Sequence, residues 1–412
     1  MTEDKGQNHV VNDWLVNGSQ DVTFLVTPGG TVTYAELSDA MDISVTGRTT
    51  ALTPEPDVNS VLAIFAAISD GPLILQPRDG WIADEIPESV MTLLFSSGTT
   101  GTPKAVPLTA ENWEAAVRAS ATHLGHTAED EWLTAMPLHH VGGLSVLFRS
   151  TYVGGRVRML PRFEADVFAA ALDDGVTFAS VVPTMLRRVL DTDDRTYHGL
   201  KAVLVGGGPI PPGLLEEAWG RGIPALPTYG MTETCAQAAT LTPGSPLAYR
   251  VDPLPGVEIR IEPDGRIALR GRQVFGGYLG GEQRDGDDWF VTGDLGRLHD
   301  DGSLQILGRA DDVIVTGGEN IDPASVEVVL SEIEGVEGVM IVGIPSEEWG
   351  NEVVCLFSGS VSAAELDRWA RDHLEPPQVP KRWLKVDAVP TTTLGKLDRS
   401  AGRSVAQTLN SG

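Results

Sequence analysis

The stretch Leu93-Leu94-Phe95-Ser96-Ser97-Gly98-Thr99-Thr100-Gly101-Thr102-Pro103-Lys104-Ala105-Val106 constrains this chain more than any other. An apolar run of the kind that makes a buried strand passes directly into a loop of hydroxyl-bearing and glycine residues, and the loop closes on a lysine. Glycines let backbone N–H groups turn toward an anion, hydroxyls donate further hydrogen bonds, and the ammonium adds a point charge. The combination suits a polyphosphate. It is not a Walker A loop, whose spacing is G-x-x-x-x-G-K-[ST]. Pro103 stands where the second glycine belongs, and Ala105 where the Ser/Thr belongs. The plain alternative is a Ser/Thr/Gly-rich surface turn, and the whole string argues against it.

At 412 residues the chain is long enough for two or three domains or subdomains. Its 42% hydrophobic and 21% charged residues describe a globular protein. A net charge of −27 argues against nucleic acid or an anionic membrane as partner. A phosphate ligand would then depend on a few local cations, which draws interest to Lys104, Arg309 and Lys396. The two cysteines, Cys235 and Cys355, are too far apart in sequence to suggest a C-x-x-C metal site or a disulfide framework. The opening Met1-Thr2-Glu3-Asp4-Lys5 lacks the basic-then-apolar order of a signal peptide. The longest apolar run, near Val61–Ile68, is far short of a bilayer span. A cytoplasmic protein without a membrane span is the expectation.

Strand and helix patterns alternate through the middle of the chain. Strands are predicted at Val90–Phe95, Trp132–Met136, Arg156–Met159, Phe178–Val182 and Ala202–Val205. Helices are predicted at Val141–Val153, Glu164–Asp173, Pro183–Leu190 and Pro212–Arg221, and Thr109 is placed to cap another that runs to Leu124. Val61–Ile68 reads equally as helix or strand. This alternation argues for a doubly wound, mainly parallel sheet. After about residue 250 short strands and Asp-Gly turns suggest an antiparallel β unit, with separate strands at Trp289–Val291 and Gly296–His299. A compact α+β tail follows Gly308, opened by a helix that Asp322 caps. The fold class is therefore α/β: a large N-terminal domain of doubly wound sheets plus a small β unit (residues 1–308), then a small α+β C-terminal domain (residues 309–412).

Four further stretches carry chemistry. Gly206-Gly207-Gly208 ends a strand where a flat ring or a phosphate can approach the backbone; a tight turn would look the same. Tyr229-Gly230-Met231-Thr232-Glu233-Thr234 combines an aromatic plane for a purine, a hydroxyl for a phosphate and a carboxylate for Mg²⁺; a structural strand-to-helix turn is the alternative. Thr292-Gly293-Asp294-Leu295-Gly296 presents an isolated Asp in a turn, able to take both ribose hydroxyls or to make an Asx-turn. Pro390-Thr391-Thr392-Thr393-Leu394-Gly395-Lys396 sets one lysine on a glycine-containing loop, where a solvated surface lysine is the ordinary reading.

Together these residues resemble the adenylate-forming superfamily of acyl-CoA ligases, peptide-synthetase adenylation domains and firefly-type luciferases. Ser96–Lys104 is similar to its phosphate-loop signature, Tyr229–Thr234 to its Y-G-x-T-E motif and Thr292–Gly296 to its T-G-D motif. Gly308–Asp312 with Gly317-Gly318-Glu319-Asn320 resembles its hinge and following loop, and Pro390–Lys396 its P-x-T-x-x-G-K lysine motif. The resemblance implies a two-step reaction. A carboxylate attacks the α-phosphorus of ATP with Mg²⁺, and coenzyme A then displaces AMP from the acyl-adenylate. It implies that Ser97, Thr99, Thr100 and Lys104 hold the β- and γ-phosphates. Thr232 would contact phosphate and Glu233 would bind Mg²⁺. Gly207, Gly208, Tyr229 and Gly230 would line the adenine slot, and Asp294 and Arg309 would hold the ribose. Lys396 would bridge the reacting carboxylate and the α-phosphate. It further implies a mobile C-terminal domain that pivots at Asp311, a pantetheine path lined by Gly318, and a homodimer as the family-level expectation.

The identity of the acid turns on Met136-Pro137-Leu138-His139-His140-Val141-Gly142-Gly143-Leu144-Ser145-Val146-Leu147-Phe148-Arg149. This segment resembles that of o-succinylbenzoate–CoA ligases of menaquinone biosynthesis, whose substrate has a second carboxylate that must bind without reacting. A cation in the acyl pocket meets that need. His140 is expected to shape the pocket and Arg149 to support or bind the distal carboxylate. Only about sixty residues separate Tyr34 from Ser96, so a shortened first subdomain is expected. Rival readings are a ligase for another aryl or medium-chain acid, a stand-alone amino-acid adenylation enzyme that loads a carrier protein, and a silent nucleotide-binding protein.

Overall fold

The computed structural model describes residues 14, 17–42, 47–76, 86–96, 104–192, 194–211, 213–285, 287–392 and 397–410. β1 (Thr23–Thr27) and β2 (Gly30–Thr33) form a hairpin, and Thr33 caps α1 (Tyr34–Met41) in a capping box with Glu36. After β3 (Thr50–Leu52) the ambiguous apolar run proves to be a helix, α2 (Val58–Asp70). Asp57 caps it, and Val61, Ile64, Phe65 and Ile68 are buried at helical spacing. β4 (Leu73–Leu75) and β5 (Val90–Ser96) continue the chain in parallel. β6 (Lys104–Thr109), which the sequence reading did not anticipate, returns antiparallel to β5 and pairs Ser96 with Lys104. Ser96 and Lys104, which flank residues 97–103, are therefore held together by a strand ladder.

Thr109 caps α3 (Ala110–Leu124), which Gly125 ends in the left-handed conformation, φ 66°. Then come β7 (Glu131–Thr134), α4 (Val141–Val153), β8 (Arg156–Met159), α5 (Ala165–Leu172), β9 (Phe178–Val181), α6 (Pro183–Leu190), β10 (Ala202–Val205), α7 (Leu214–Gly220) and β11 (Ala225–Tyr229). With β12 (Ala239–Thr240) and β13 (Asp252–Pro253), these strands build a sheet ordered β13-β12-β11-β10-β9-β7-β8-β1-β2. The run from β11 to β1 is parallel. This is the expected doubly wound arrangement, and in open sheets of this kind ligands bind outside the carboxyl ends of the strands. Trp113 locks the second sheet to this one. Its Nε1 donates to Thr92 Oγ1 at 2.8 Å, and its ring meets Phe148 of α4 edge-on at 4.8 Å.

β14 (Glu258–Ile261), β15 (Arg266–Arg270), β16 (Phe290–Leu298) and β17 (Leu304–Arg309) form the antiparallel unit. Trp289–Val291 and Gly296–His299 are not two strands with a T-G-D turn between them; β16 runs through the whole motif. The alternation explains it, because Thr292, Asp294 and Gly296 all point inward, and a bulge at Leu295/Gly296 absorbs the irregularity. After a 3-10 turn at Ala310–Asp312 come β18 (Ile314–Thr316), β19 (Glu319–Ile321), α8 (Pro323–Ser331), β20 (Val336–Ser346), β21 (Gly350–Gly359), α9 (Ala363–His373), β22 (Arg382–Lys385) and α10 (Arg399–Asn410). β18 to β22 form a separate sheet with its own cores against α8, α9 and α10. No described helix is long and apolar enough to cross a membrane.

One core feature carries a pH prediction. The Trp132 and Phe178 rings stack at 4.9 Å, and His126 meets their edges at 5.1 and 5.2 Å. Neither ring nitrogen of His126 has a hydrogen-bond partner among the described residues. Burial pushes its pKa down to about 3; Asp130 opposes this, and Arg149 and Lys201 add to it. An unfolded histidine takes its proton near 6.5, so the unfolded chain binds more protons below that pH. Stability from neutral His126 is full above about pH 6.5 and is lost as pH falls toward 3. His126→Phe is expected to flatten the loss of denaturant stability between pH 6.5 and 4 relative to the parent chain. An unchanged slope would refute the assignment.

Candidate active site

β10 and β11 run parallel with Val205 beside Pro227, so the glycine turn after β10 and the Tyr229 motif leave the sheet at the same edge. A Cβ on Gly206 would meet Thr228 at 2.6 Å, and Gly207 takes φ 80°. These glycines let the turn lie against β11, with Gly207 and Gly208 exposed. Gly230 is equally constrained, since its Cβ would strike the Ala236 carbonyl oxygen at 2.0 Å. Thr232 and Glu233 then stand in a 3-10 turn.

Asp294 ties three of the expected residues together. It is 8% exposed; its Oδ2 accepts from the Tyr229 hydroxyl at 2.8 Å and its Oδ1 from Arg309 Nη1 at 2.9 Å. Burial raises the Asp294 pKa, and the Arg309 charge works against that shift. The Tyr229 hydroxyl is pushed up by burial and by the Asp294 charge. The other guanidinium nitrogen of Arg309, Nη2, reaches Asp311 Oδ2 at 3.4 Å. Tyr229, Asp294, Arg309 and Asp311 thus share one hydrogen-bonded chain.

A second group gathers Lys104 and Glu233. Glu233 Oε1 accepts from the Tyr278 hydroxyl at 2.7 Å, and Lys104 Nζ lies 4.8 Å from the centre of the Tyr278 ring. Two backbone bonds hold this register, Leu279 N to Ala105 O at 3.0 Å and Phe275 N to Glu233 O at 2.9 Å. The sequence reading missed Tyr278; its signal was weak, a tyrosine after two glycines with no chemistry of its own. Glu233 is a single buried carboxylate that shares Tyr278 with the Lys104 ammonium, a donor set that suits a magnesium ion shared with phosphate oxygens rather than an all-protein metal cage. Among the described residues no cluster of three or more metal-ligating side chains occurs.

His140 stands at the N-cap of α4 and Arg149 nine residues further along it, about 13.5 Å at 1.5 Å per residue and four residues before the helix end at Val153. His140 occupies the N-cap at the carboxyl edge of the sheet, with its ring 4.4 Å from that of His139. Arg149 is 3% exposed and lies 4.6 Å over the Trp132 ring. Its Nε donates to Ser145 O at 3.1 Å and its Nη2 to Ser145 Oγ at 2.9 Å, while Nη1 has no partner among the described residues. Burial pushes its pKa down to about 9. Gly317 and Gly318 form the tight turn between β18 and β19, at φ 58° and 89°. Ser97, Thr99, Thr100 and Lys396 lie outside the described residues.

The profile of the AMP-binding enzyme family matches residues 48–279, and that of the AMP-binding enzyme C-terminal domain matches residues 325–396. The chain belongs to the AMP-binding enzyme family. This AMP-binding enzyme is 39% identical to the 2-succinylbenzoate–CoA ligase of Bacillus licheniformis over 331 residues, which cover 76% of this chain and 69% of that one. The 2-succinylbenzoate–CoA ligase of Bacillus subtilis is 36% identical over 332 residues, 76% of this chain and 68% of its own. Among solved structures, the Bacillus subtilis o-succinylbenzoate CoA synthetase with its acyl-adenylate intermediate OSB-AMP superposes with a TM-score of 0.81 at 30% identity, covering 94% of this chain and 97% of that one. The same synthetase with ATP and a magnesium ion gives 0.82, also at 30% identity, covering 94% and 98%. ATP-bound MatB of Rhodopseudomonas palustris gives 0.85 at 21% identity over 98% and 99%, a likeness of fold alone.

Proposed function

We propose that this AMP-binding enzyme is an AMP-forming o-succinylbenzoate–CoA ligase of menaquinone biosynthesis that uses ATP, Mg²⁺ and coenzyme A. The observation that carries the choice of acid is Arg149, a buried guanidinium with no carboxylate partner among the described residues and with Nη1 unpaired. A buried cation in that state is costly unless a ligand completes it. A substrate with a second, unreactive carboxylate would do so, and a fatty-acyl or benzoyl group would not.

In this reading Tyr229, Gly207, Gly208 and Gly230 line the adenine slot, and Asp294 takes the ribose hydroxyls while the Arg309 charge favours its ionised form. Lys104, with Ser97, Thr99, Thr100 and Thr232, holds the β- and γ-phosphates. Glu233, oriented by Tyr278, would hold the magnesium ion, which when bound offsets charge on the phosphate oxygens. The substrate carboxylate oxygen attacks the α-phosphorus and the bond to pyrophosphate breaks, with Lys396 bridging the two reacting anions. The thiol of coenzyme A, its proton released to solvent, then attacks the acyl carbon through sulfur and the acyl–oxygen bond breaks as AMP departs; its pantetheine arm would pass Gly318. The protein's share is positioning and charge stabilisation. His140 would stand at the mouth of the acyl pocket and Arg149 at its floor. Residues 1–308 and 309–412 would be the two bodies, pivoting at Asp311 between half-reactions. A cytoplasmic location follows from the supply of ATP and coenzyme A, and a homodimer remains part of the proposal.

The test is pyrophosphate release from ATP and Mg²⁺ with o-succinylbenzoate, benzoate, octanoate and amino acids, with and without coenzyme A. Multiple turnovers are expected with o-succinylbenzoate, sustained only when coenzyme A is present. Preference for another acid of the panel would overturn the substrate assignment, and release with none of them would overturn the ligase reading.

A further inference from the structure

The hinge turn carries two consecutive carboxylates, and they face two different arginines. Asp311 accepts from Arg309 on the nucleotide side at 3.4 Å; Asp312 accepts from Arg399 Nε at 3.2 Å. Arg399 is the first residue of α10 and comes three residues after Lys396. Its side chain is 12% exposed and saturated with partners: both nitrogens of its fork meet the Glu327 carboxylate of α8, and Nη1 also donates to Ile341 O of β20 at 3.1 Å. Glu327 is itself anchored, accepting from Ile341 N at 2.7 Å. The base of the lysine loop is rigid too. Asp398 N donates to Pro390 O at 3.0 Å, Thr391 pairs with Leu397, and the Asp398 carboxylate caps α10 through Ala401 N at 3.0 Å.

We propose that Arg399 is a positioning residue: its bond to Asp312 fixes the residues that flank the lysine segment, Thr391 and Leu397–Asp398, to the hinge turn, so that they follow a rotation at Asp311. The inference rests on the ligase reading above. The geometry favours it over a purely structural ion pair, because Glu327 alone satisfies the guanidinium fork. The Nε arm toward Asp312 adds little to the core, yet it joins the turn that moves to the loop that must arrive. The bidentate pairing with Glu327 fixes the guanidinium plane, so the single Nε bond to Asp312 extends from a stiff base.

The experiment uses the full-length chain with Asp312→Asn, which spares the Glu327–Arg399 pair, and with Arg399→Lys, which cannot serve both carboxylates. Two half-reactions are measured, single-turnover pyrophosphate release without coenzyme A, and thioester formation from supplied acyl-adenylate and coenzyme A. Both variants are expected to slow the first about tenfold and the second less than twofold, with the Asp312→Asn melting temperature unchanged within a few degrees. Equal slowing of both halves, or no slowing of the first, would overturn the proposal. Lys396→Ala is the control: if it leaves adenylation intact, the reading of the lysine loop has failed, whatever Asp312 does.

Discussion

Arg149→Met is expected to lower kcat/KM for o-succinylbenzoate about 100-fold without lowering the melting temperature. The two halves of this expectation have separate causes. A charge-assisted hydrogen bond to a buried carboxylate contributes about 1.5–3 kcal/mol, and each ~1.4 kcal/mol is a factor of ten in rate. In the free protein the same guanidinium is a cost. It is buried, it lacks a carboxylate among the described residues, and burial has already pushed its pKa down to about 9. Methionine keeps an unbranched side chain over the Trp132 ring and removes the unpaired donor. Ser145 loses little, since its hydroxyl also donates to Gly142 O at 3.0 Å. Replacing an uncompensated buried charge by a well-packed apolar group is often neutral or stabilising. A monocarboxylate such as benzoate, which cannot use Arg149, serves as internal reference and should change less than threefold. Equal losses for both acids, with a lower melting temperature, would reduce Arg149 to a structural residue.

How much of this was legible in the sequence depended on whether a signal was local. The limits of α4, β8, α6 and β10 match the predicted ones because each is fixed by a nearby glycine, proline or change of period. Thr109 was read as a helix cap, and it caps α3 in a box with Asn112. β6 was missed because Lys104-Ala105-Val106-Pro107-Leu108-Thr109 carries a proline, and only pairing with β5 makes it a strand. α10 was missed for the opposite reason: Arg399–Asn410 has few apolar residues, and Ala406 is its fully buried anchor. β21 hides as an apolar run between two glycines, which periodicity alone does not assign.

The site shows the same division. Short motifs placed Asp294, Tyr229, Arg309, Glu233 and Lys104 in the argument, and the structure joins them into two hydrogen-bonded or stacked groups. The T-G-D motif was misread locally, because two glycines in five residues look like a turn until the partner strands β15 and β17 are present. Tyr278 and the bond between Asp312 and Arg399 could not be read, although Asp312 lies in the hinge segment Gly308–Asp312. Their significance lies in contacts across 45 and 87 residues of chain, which no window detects.

Asp294→Ala is expected to reduce kcat/KM for ATP by more than 100-fold, mainly through KM for ATP. Asp294 is the acceptor on which both a buried phenol and the Arg309 guanidinium depend. Its removal takes away the groups that would receive a ribose diol, and it also leaves the Tyr229 hydroxyl without its acceptor. A buried donor left unpaired costs about 1–3 kcal/mol, so the melting temperature should fall as well. Asp294→Asn separates these effects. The amide oxygen can still accept from Tyr229, which should restore most of the stability, but the charge that holds Arg309 is gone. ATP binding should then recover only in part. Because ribose contacts are the same in the ground and transition states, the loss should appear as uniform binding: KM for ATP rises while KM for the acid and the rate at saturating ATP change little. A fall in the saturated rate with KM for ATP unchanged would point instead to a role in the chemical step, and would remove Asp294 from the ribose.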